Sequence, residues 1–166
     1  MAEFAPIEKL QPCLLDRLTD DDPKTTEESR SQRVISVQRY RRGVLRDLAW
    51  LLNSSAHLPD EGKERWKLEN YPDAKRSVIN FGTRQLSGLF APDMHELERQ
   101  LAESLQLFEP RVIPQSVTIH ASMERNVIGI EIRGELWANP IPEQLFLKTN
   151  IDIETGLCTM GDTLDG

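Results

Sequence analysis

The sequence predicts an α+β domain in which helices pack on one face of a small, mainly antiparallel sheet of three to four strands. Two observations carry that prediction. Apolar stripes of helical period occupy residues 31–53 and 93–108, and period-two alternation fills the last third. Helices first and strands afterwards is the order of an α+β layer, not of repeating βαβ units.

The 166 residues fit one domain, with residues 31–166 as its body. Residues 1–30 carry eight acids against four bases and read as an acidic arm, peripheral or docked on a partner. Within it, Cys13, Leu14, Leu15 and Leu18 make a short apolar patch.

Residues 31–53 form the strongest helical pattern. Val34, Val37, Val44, Leu45, Leu48, Leu51 and Leu52 fall on one face. Arg39, Arg42 and Arg46 cluster opposite. From Arg33 to Arg46 there are five arginines and no acid. Such a stripe is either a solvated face or a docking surface for an acidic partner. Arg41 falls inside the apolar arc.

Residues 54–72 read as a loop, with Trp66 and Tyr71 as anchors to the core. Residues 73–92 read as short irregular elements, with a tight turn at Asn80, Phe81 and Gly82. A second helix is expected over Asp93–Phe108, capped by Asp93 and closed by Pro110. Its stripe is Met94, Leu97, Leu101, Leu105 and Phe108. Three alternating runs follow, around Val117–Ala121, Ile128–Ile132 and Leu145–Ile153, and make half-buried strands.

Composition excludes several functions. The formal charge of −7 argues against nucleic-acid binding, which needs a basic surface to neutralise phosphates. Cys13 and Cys158 form no Cys-x-x-Cys pair, and His57, His95 and His120 lack ligand spacing, so neither a metal nor a disulfide framework is expected. No basic stretch followed by an apolar run opens the chain. No segment approaches the roughly 18–20 apolar residues that span a bilayer. A cytoplasmic protein without membrane insertion is the expectation.

Signals for catalysis are weak. No Gly-x-Ser-x-Gly elbow occurs. Gly82 and Gly88 have the outer spacing of a phosphate loop, but Leu89 stands where the lysine belongs. Glu143, Asp152 and Thr159 come within one residue of the spacing in phage lysozymes, so a lysozyme-like glycoside hydrolase is the alternative reading. No catalytic residue and no cofactor is expected. The remaining constellation is Glu109-Pro110-Arg111, where proline stiffens the corner between helix and strand. From the residues alone it reads as a helix stop with two solvated charges. A mutual ion pair and a charge pair projected to a partner are its other forms.

Five stretches, in order, resemble the TssE family, the small wedge subunits of type VI secretion baseplates. They are Leu14-Leu15-Asp16-Arg17-Leu18, Arg46-Asp47-Leu48-Ala49-Trp50-Leu51-Leu52-Asn53, Arg76-Ser77-Val78-Ile79-Asn80-Phe81-Gly82, Phe108-Glu109-Pro110-Arg111 and Ile151-Asp152-Ile153-Glu154-Thr155-Gly156. Phe81 departs from the tyrosine that the family commonly has in its Asn-Tyr-Gly turn.

The resemblance implies structural work in a wedge beside TssF, TssG and TssK, in a baseplate docked at the inner membrane. It also implies a fold element shared with the sheath proteins TssB/TssC, so that the subunit templates the first sheath ring. The docking residues would be Glu109, Pro110 and Arg111, reinforced by Arg39, Arg42 and Arg46. Removing Glu109 or Arg111 is then expected to weaken docking and leave the fold intact. Sheath strands would add to a sheet edge, at either the Ser116–Ala121 strand or the Leu145–Ile153 strand.

Overall fold

A computed structural model of the chain describes residues 10, 12–19, 35–56, 70–83, 93–138 and 142–160. These residues form helices α1 (Leu14–Leu18), α2 (Val37–Asn53), α3 (Pro72–Lys75) and α4 (Met94–Phe108). They are followed by strands β1 (Thr118–Glu124), β2 (Val127–Leu136), β3 (Glu143–Asp152) and β4 (Cys158–Met160). The strands pair in the order β1-β2-β3-β4, every pair antiparallel. The architecture is the predicted α+β layer.

Helix α2 starts at Val37, later than its periodicity suggests, because Ser36 caps it by accepting from the Arg39 N–H. Its inner face buries Tyr40, Val44, Leu48, Leu51 and Leu52. Val34 lies outside the described residues. Helix α4 obeys its sequence signals: the Asp93 carboxylate accepts from His95 and Glu96, and Leu97, Leu101 and Leu105 are buried.

Both helices cover the same sheet face. Ile128, Ile130, Ile132 and Leu136 of β2 point into it, as do Leu145, Leu147, Thr149 and Ile151 of β3. The alternate residues point away, so strand period sorts the two faces. β3 ends at Asp152 because its carboxylate accepts from the Glu154 and Thr155 N–H groups. Gly156, at φ 71°, completes the turn.

The returning strand β4 is short and is held by side chains as well as by its ladder. The Asn53 amide donates to the Cys158 carbonyl and accepts from its N–H, tying the end of α2 to β4. Thr149 Oγ1 and Cys158 Sγ lie 2.7 Å apart within the core.

The Asn70–Thr83 region corrects one expectation. Tyr71 is 61% exposed and anchors nothing to the core. Pro72 instead opens the single turn of α3, where its missing N–H costs nothing. Trp66 lies outside the described residues. The tight approach falls at Gly82, at φ 117°, where a Cβ would come within 2.2 Å of the Ser54 carbonyl oxygen. Thr83 and Ser54 pair there through a backbone hydrogen bond of 2.8 Å. Phe81 meets Phe108 edge-on at 5.3 Å between ring centroids, which keeps the packing role without a hydroxyl.

Candidate functional site

The lysozyme-like trio does not assemble. Glu143 and Asp152 stand at opposite ends of β3, about 30 Å apart at the rise of an extended strand. A glycosidase pair needs a separation of roughly 5–9.5 Å. Asp152 is used by the turn after β3, and the Thr159 hydroxyl donates to the Asn150 carbonyl. Among the described residues no group of His, Cys, Asp and Glu is placed to hold a metal ion.

The Glu109-Pro110-Arg111 corner is built into the sheet. The Trp137 N–H donates to the Arg111 carbonyl at 2.7 Å and the Ile113 N–H to the Glu135 carbonyl at 2.8 Å. Val112 bridges Leu136 between them. The corner therefore extends the β1 side of the sheet alongside the end of β2. Pro114–Ser116 interrupts that extension as one 3-10 turn. The Ser116 hydroxyl fills the gap by accepting from the Glu135 N–H. Tyr40 of α2 donates to the Trp137 carbonyl at 2.8 Å, which fixes the corner to the helical layer.

The two charges of the corner are not solvated, which corrects the reading from residues alone. Glu109 is 3% exposed. Its carboxylate accepts from Arg111 Nε at 2.6 Å and from Nη2 at 2.5 Å, and also from the Arg111 backbone N–H. The same Nη2 reaches Asp47 Oδ2 at 2.6 Å. Asp47 in turn takes Arg46 at 2.9 Å through its other oxygen. Arg46 then holds Asp16 of α1 at 2.7 Å.

The result is one chain of alternating charge: Asp16, Arg46, Asp47, Arg111, Glu109. A carboxylate this deep demands a paired cation, and planar guanidinium groups can serve two carboxylates at once. Burial works against the charge on Arg111. The bonds to Glu109 and Asp47 outweigh it and raise the pKa. Burial likewise works against the Asp16 charge, and hydrogen bonds from Cys13 and Arg46 override it to hold its carboxyl below the usual range.

An open groove of about 800 Å³ runs beside this chain. Leu10, Leu15, Trp50, Phe108, Pro110 and Trp137 line it, with Asp47, Glu109 and Arg111 as its polar part. The structure thus gathers Glu109, Pro110, Arg111 and Arg46 in one place. Arg42 is exposed and Arg39 half-buried on α2 outside it. Asn80 ends a 3-10 turn, Gly82 takes φ 117°, and Phe81 between them reaches the groove wall.

Sequence reasoning missed Asp16 and Asp47. Their signal was present, since each stands inside one of the family-like stretches. Only the fold reveals that those stretches meet.

The baseplate wedge protein gp25 family model matches residues 38–141. The chain belongs to this family. The matched range holds α2, the Phe81 segment, α4, the corner, β1 and β2, and so most of the charge chain. Membership in the baseplate wedge family gives the protein a structural role in a contractile-tail type of baseplate. Asp16 and β3 lie outside the matched range. No curated protein matches the chain. Among the described residues no helix is long and apolar enough to cross a membrane.

Two outcomes follow from the charge chain. Glu109→Ala leaves Arg111 short of its main partner, so it should cost the fold itself about 3–5 kcal/mol. Urea unfolding measures this, and it replaces the expectation that the variant stays intact. Asp16 has a lowered folded-state pKa, so its contribution is complete above the ordinary carboxylate value of about 3.9 and fades as pH falls through the folded value. Hydrogen exchange of α1 should therefore keep a constant protection factor between pH 7 and 5 and lose protection below about pH 4.

Proposed function

We propose that the protein is a TssE-type wedge subunit of a contractile injection machine, a non-enzymatic part that docks in the wedge and templates sheath polymerisation. The observation that carries this reading is the convergence of Asp16, Arg46, Asp47, Glu109 and Arg111 beside an open groove. Residues from three family-like stretches meet there, although the outermost two are far apart in sequence. The partners in this reading are TssF, TssG and TssK, and the site of action is the cytoplasmic baseplate at the inner membrane.

The corner serves as a brace more than as a projected charge. Glu109 and Arg111 satisfy each other and Asp47, which leaves Pro110 exposed at the rim with Trp50 and Trp137. Those apolar groups meet the wedge core, and the basic surface around Arg39 and Arg42 steers its approach.

Sheath strands of TssB/TssC add at a sheet edge, and local geometry favours β3 over β1. On β1 the outward N–H of Ala121 is already taken by Glu98 of α4 at 2.8 Å. On β3 the ladder alternates sides: the Ile153 N–H reaches Asn126 next to β2, and the Asp152 N–H reaches Leu157 on the opposite side. By that alternation Gln144, Phe146 and Lys148 direct their backbone groups away from β2. β4 pairs only with Thr149–Ile151. The stretch Glu143–Lys148 is therefore open on that side among the described residues, and it presents unpaired groups for strand addition.

Lys148→Pro removes one of those donors at an exposed position. Co-expressed with the wedge and sheath proteins, this variant should co-purify with TssF, TssG and TssK at wild-type yield and fail to nucleate sheath. Sheaths of normal number and length would count against strand addition at β3. A wild-type chain that captures no wedge protein would remove the TssE-type reading itself.

A further inference from the structure

Among the described residues, strand β1 is an edge of the sheet, and an edge strand is a template for another strand unless something blocks it. The Ala121 N–H donates to Glu98 Oε1 at 2.8 Å and so points away from β2. By strand alternation the N–H groups of Ile119 and Met123 point the same way. The Glu98 carboxylate therefore sits on the middle position of that edge.

Local features keep it there. Glu98 stands on α4 next to the buried Leu97, where the helix packs against β1. His95 Nδ1 lies 3.5 Å from one carboxylate oxygen, and His120 Nδ1 lies 3.5 Å from the other. One histidine comes from the same helix and the other from β1. The bond from the Ala121 N–H is the foremost cause that holds the Glu98 carboxyl below its usual range. At neutral pH the group is ionised and can only accept.

An added strand would have to bring a carbonyl oxygen to the Ala121 N–H. The carboxylate already occupies that place, and its charge repels another oxygen. A charged side chain turned in on an edge is a known way to blunt it. With the centre taken, Ile119 and Met123 cannot belong to one continuous ladder.

The other edge makes this block consequential. The stretch Glu143–Lys148 of β3 turns Gln144, Phe146 and Lys148 outward and is open among the described residues. It matches β1 in length. A chain with both edges open could pair β1 of one copy with β3 of the next. That contact joins two different surfaces, so it repeats without closing and builds a fibre.

We propose that Glu98 is a gatekeeper: by capping the Ala121 N–H it stops a second copy of this chain from adding its β3 stretch to β1. The subunit is thereby kept from head-to-tail polymerisation while its β3 edge stays free. The proposal rests on the open β3 stretch of the preceding reading and needs no wedge partner.

The test is sedimentation velocity of the purified full chain over a concentration series. Wild type should sediment at monomer mass throughout. Glu98→Ala should reach an average mass at least about twice that of wild type, rising with concentration. Glu98→Gln should match wild type, because its amide carbonyl still accepts from the Ala121 N–H. Adding Lys148→Pro to Glu98→Ala should restore monomer mass by closing the other edge, a rescue that a misfolded aggregate would not show. At low concentration, hydrogen exchange should find the Ala121 amide protected in wild type and Glu98→Gln and unprotected in Glu98→Ala.

A Glu98→Ala chain that stays at monomer mass, or that keeps its Ala121 amide protected, would overturn the proposal. So would oligomers that survive Lys148→Pro, or that form equally in wild type or Glu98→Gln. Failure to capture any wedge protein would count against the TssE-type reading and leave this test unaffected.

Discussion

A carboxylate buried as deeply as Glu109 must be neutralised inside the fold, and the neutralising groups tie distant parts of this chain together. Arg111 meets Glu109 across a proline that fixes the corner between them. One nitrogen of Arg111 also reaches Asp47 on α2, and Asp47 then orders Arg46, which orders Asp16. Glu109 is acceptable at its depth only because Arg111 is present. Net stability from such a chain is modest, since desolvation offsets attraction. Its larger effect is geometric: α1, α2 and the corner have one relative placement, and the groove between them has one shape.

That constraint divides the labour of the fold. On the helical side, the charge chain and the Tyr40 bond to Trp137 hold the groove and its aromatic rim. On the sheet side, the regular ladder of β1 to β3 carries, among the described residues, an open stretch at the start of β3, and Glu98 covers the Ala121 donor on β1. The hydrophobic core lies between, with Leu48, Leu101, Ile130, Ile132 and Leu147 almost wholly buried. In the proposed reading the protein meets two neighbours, one at the groove and one at the sheet edge. A rigid core between a braced groove and a sheet edge is suited to that work.

The fold was legible where one periodicity governed a whole element. The stripe from Leu97 to Phe108 marked α4 with both of its ends, and the inward isoleucines of β2 marked that strand and its buried face. The start of α2 was misplaced because apolar period says nothing of Ser36, whose side chain decides the boundary. β4 was not separable from the tail, since it is three residues long and is held by Asn53 from the far end of α2. Tyr71 looked like an anchor by type, but the turn it opens leaves it outside.

At the site, the sequence pointed to the corner and to Arg46 and passed over their partners. Asp47 lies 64 positions from Arg111, and no local pattern distinguishes a carboxylate that will pair at such range from one that stays in water. The outward leucines of α1 were equally illegible. An apolar patch in an acidic arm leaves docking on the domain and docking on a partner equally open, and only the clamp at Asp16 explains why Leu14 and Leu18 face out.

The two arginines act through one shared carboxylate, and a double-mutant cycle on Arg46→Met and Arg111→Met measures that coupling. Urea unfolding of the four proteins should give a coupling of about 0.5–3 kcal/mol, because Asp47 keeps a partner in each single variant and loses both in the double. Strict additivity, within about 0.3–0.5 kcal/mol, would mean that the ion pairs are independent and that no continuous chain joins α1 to the corner.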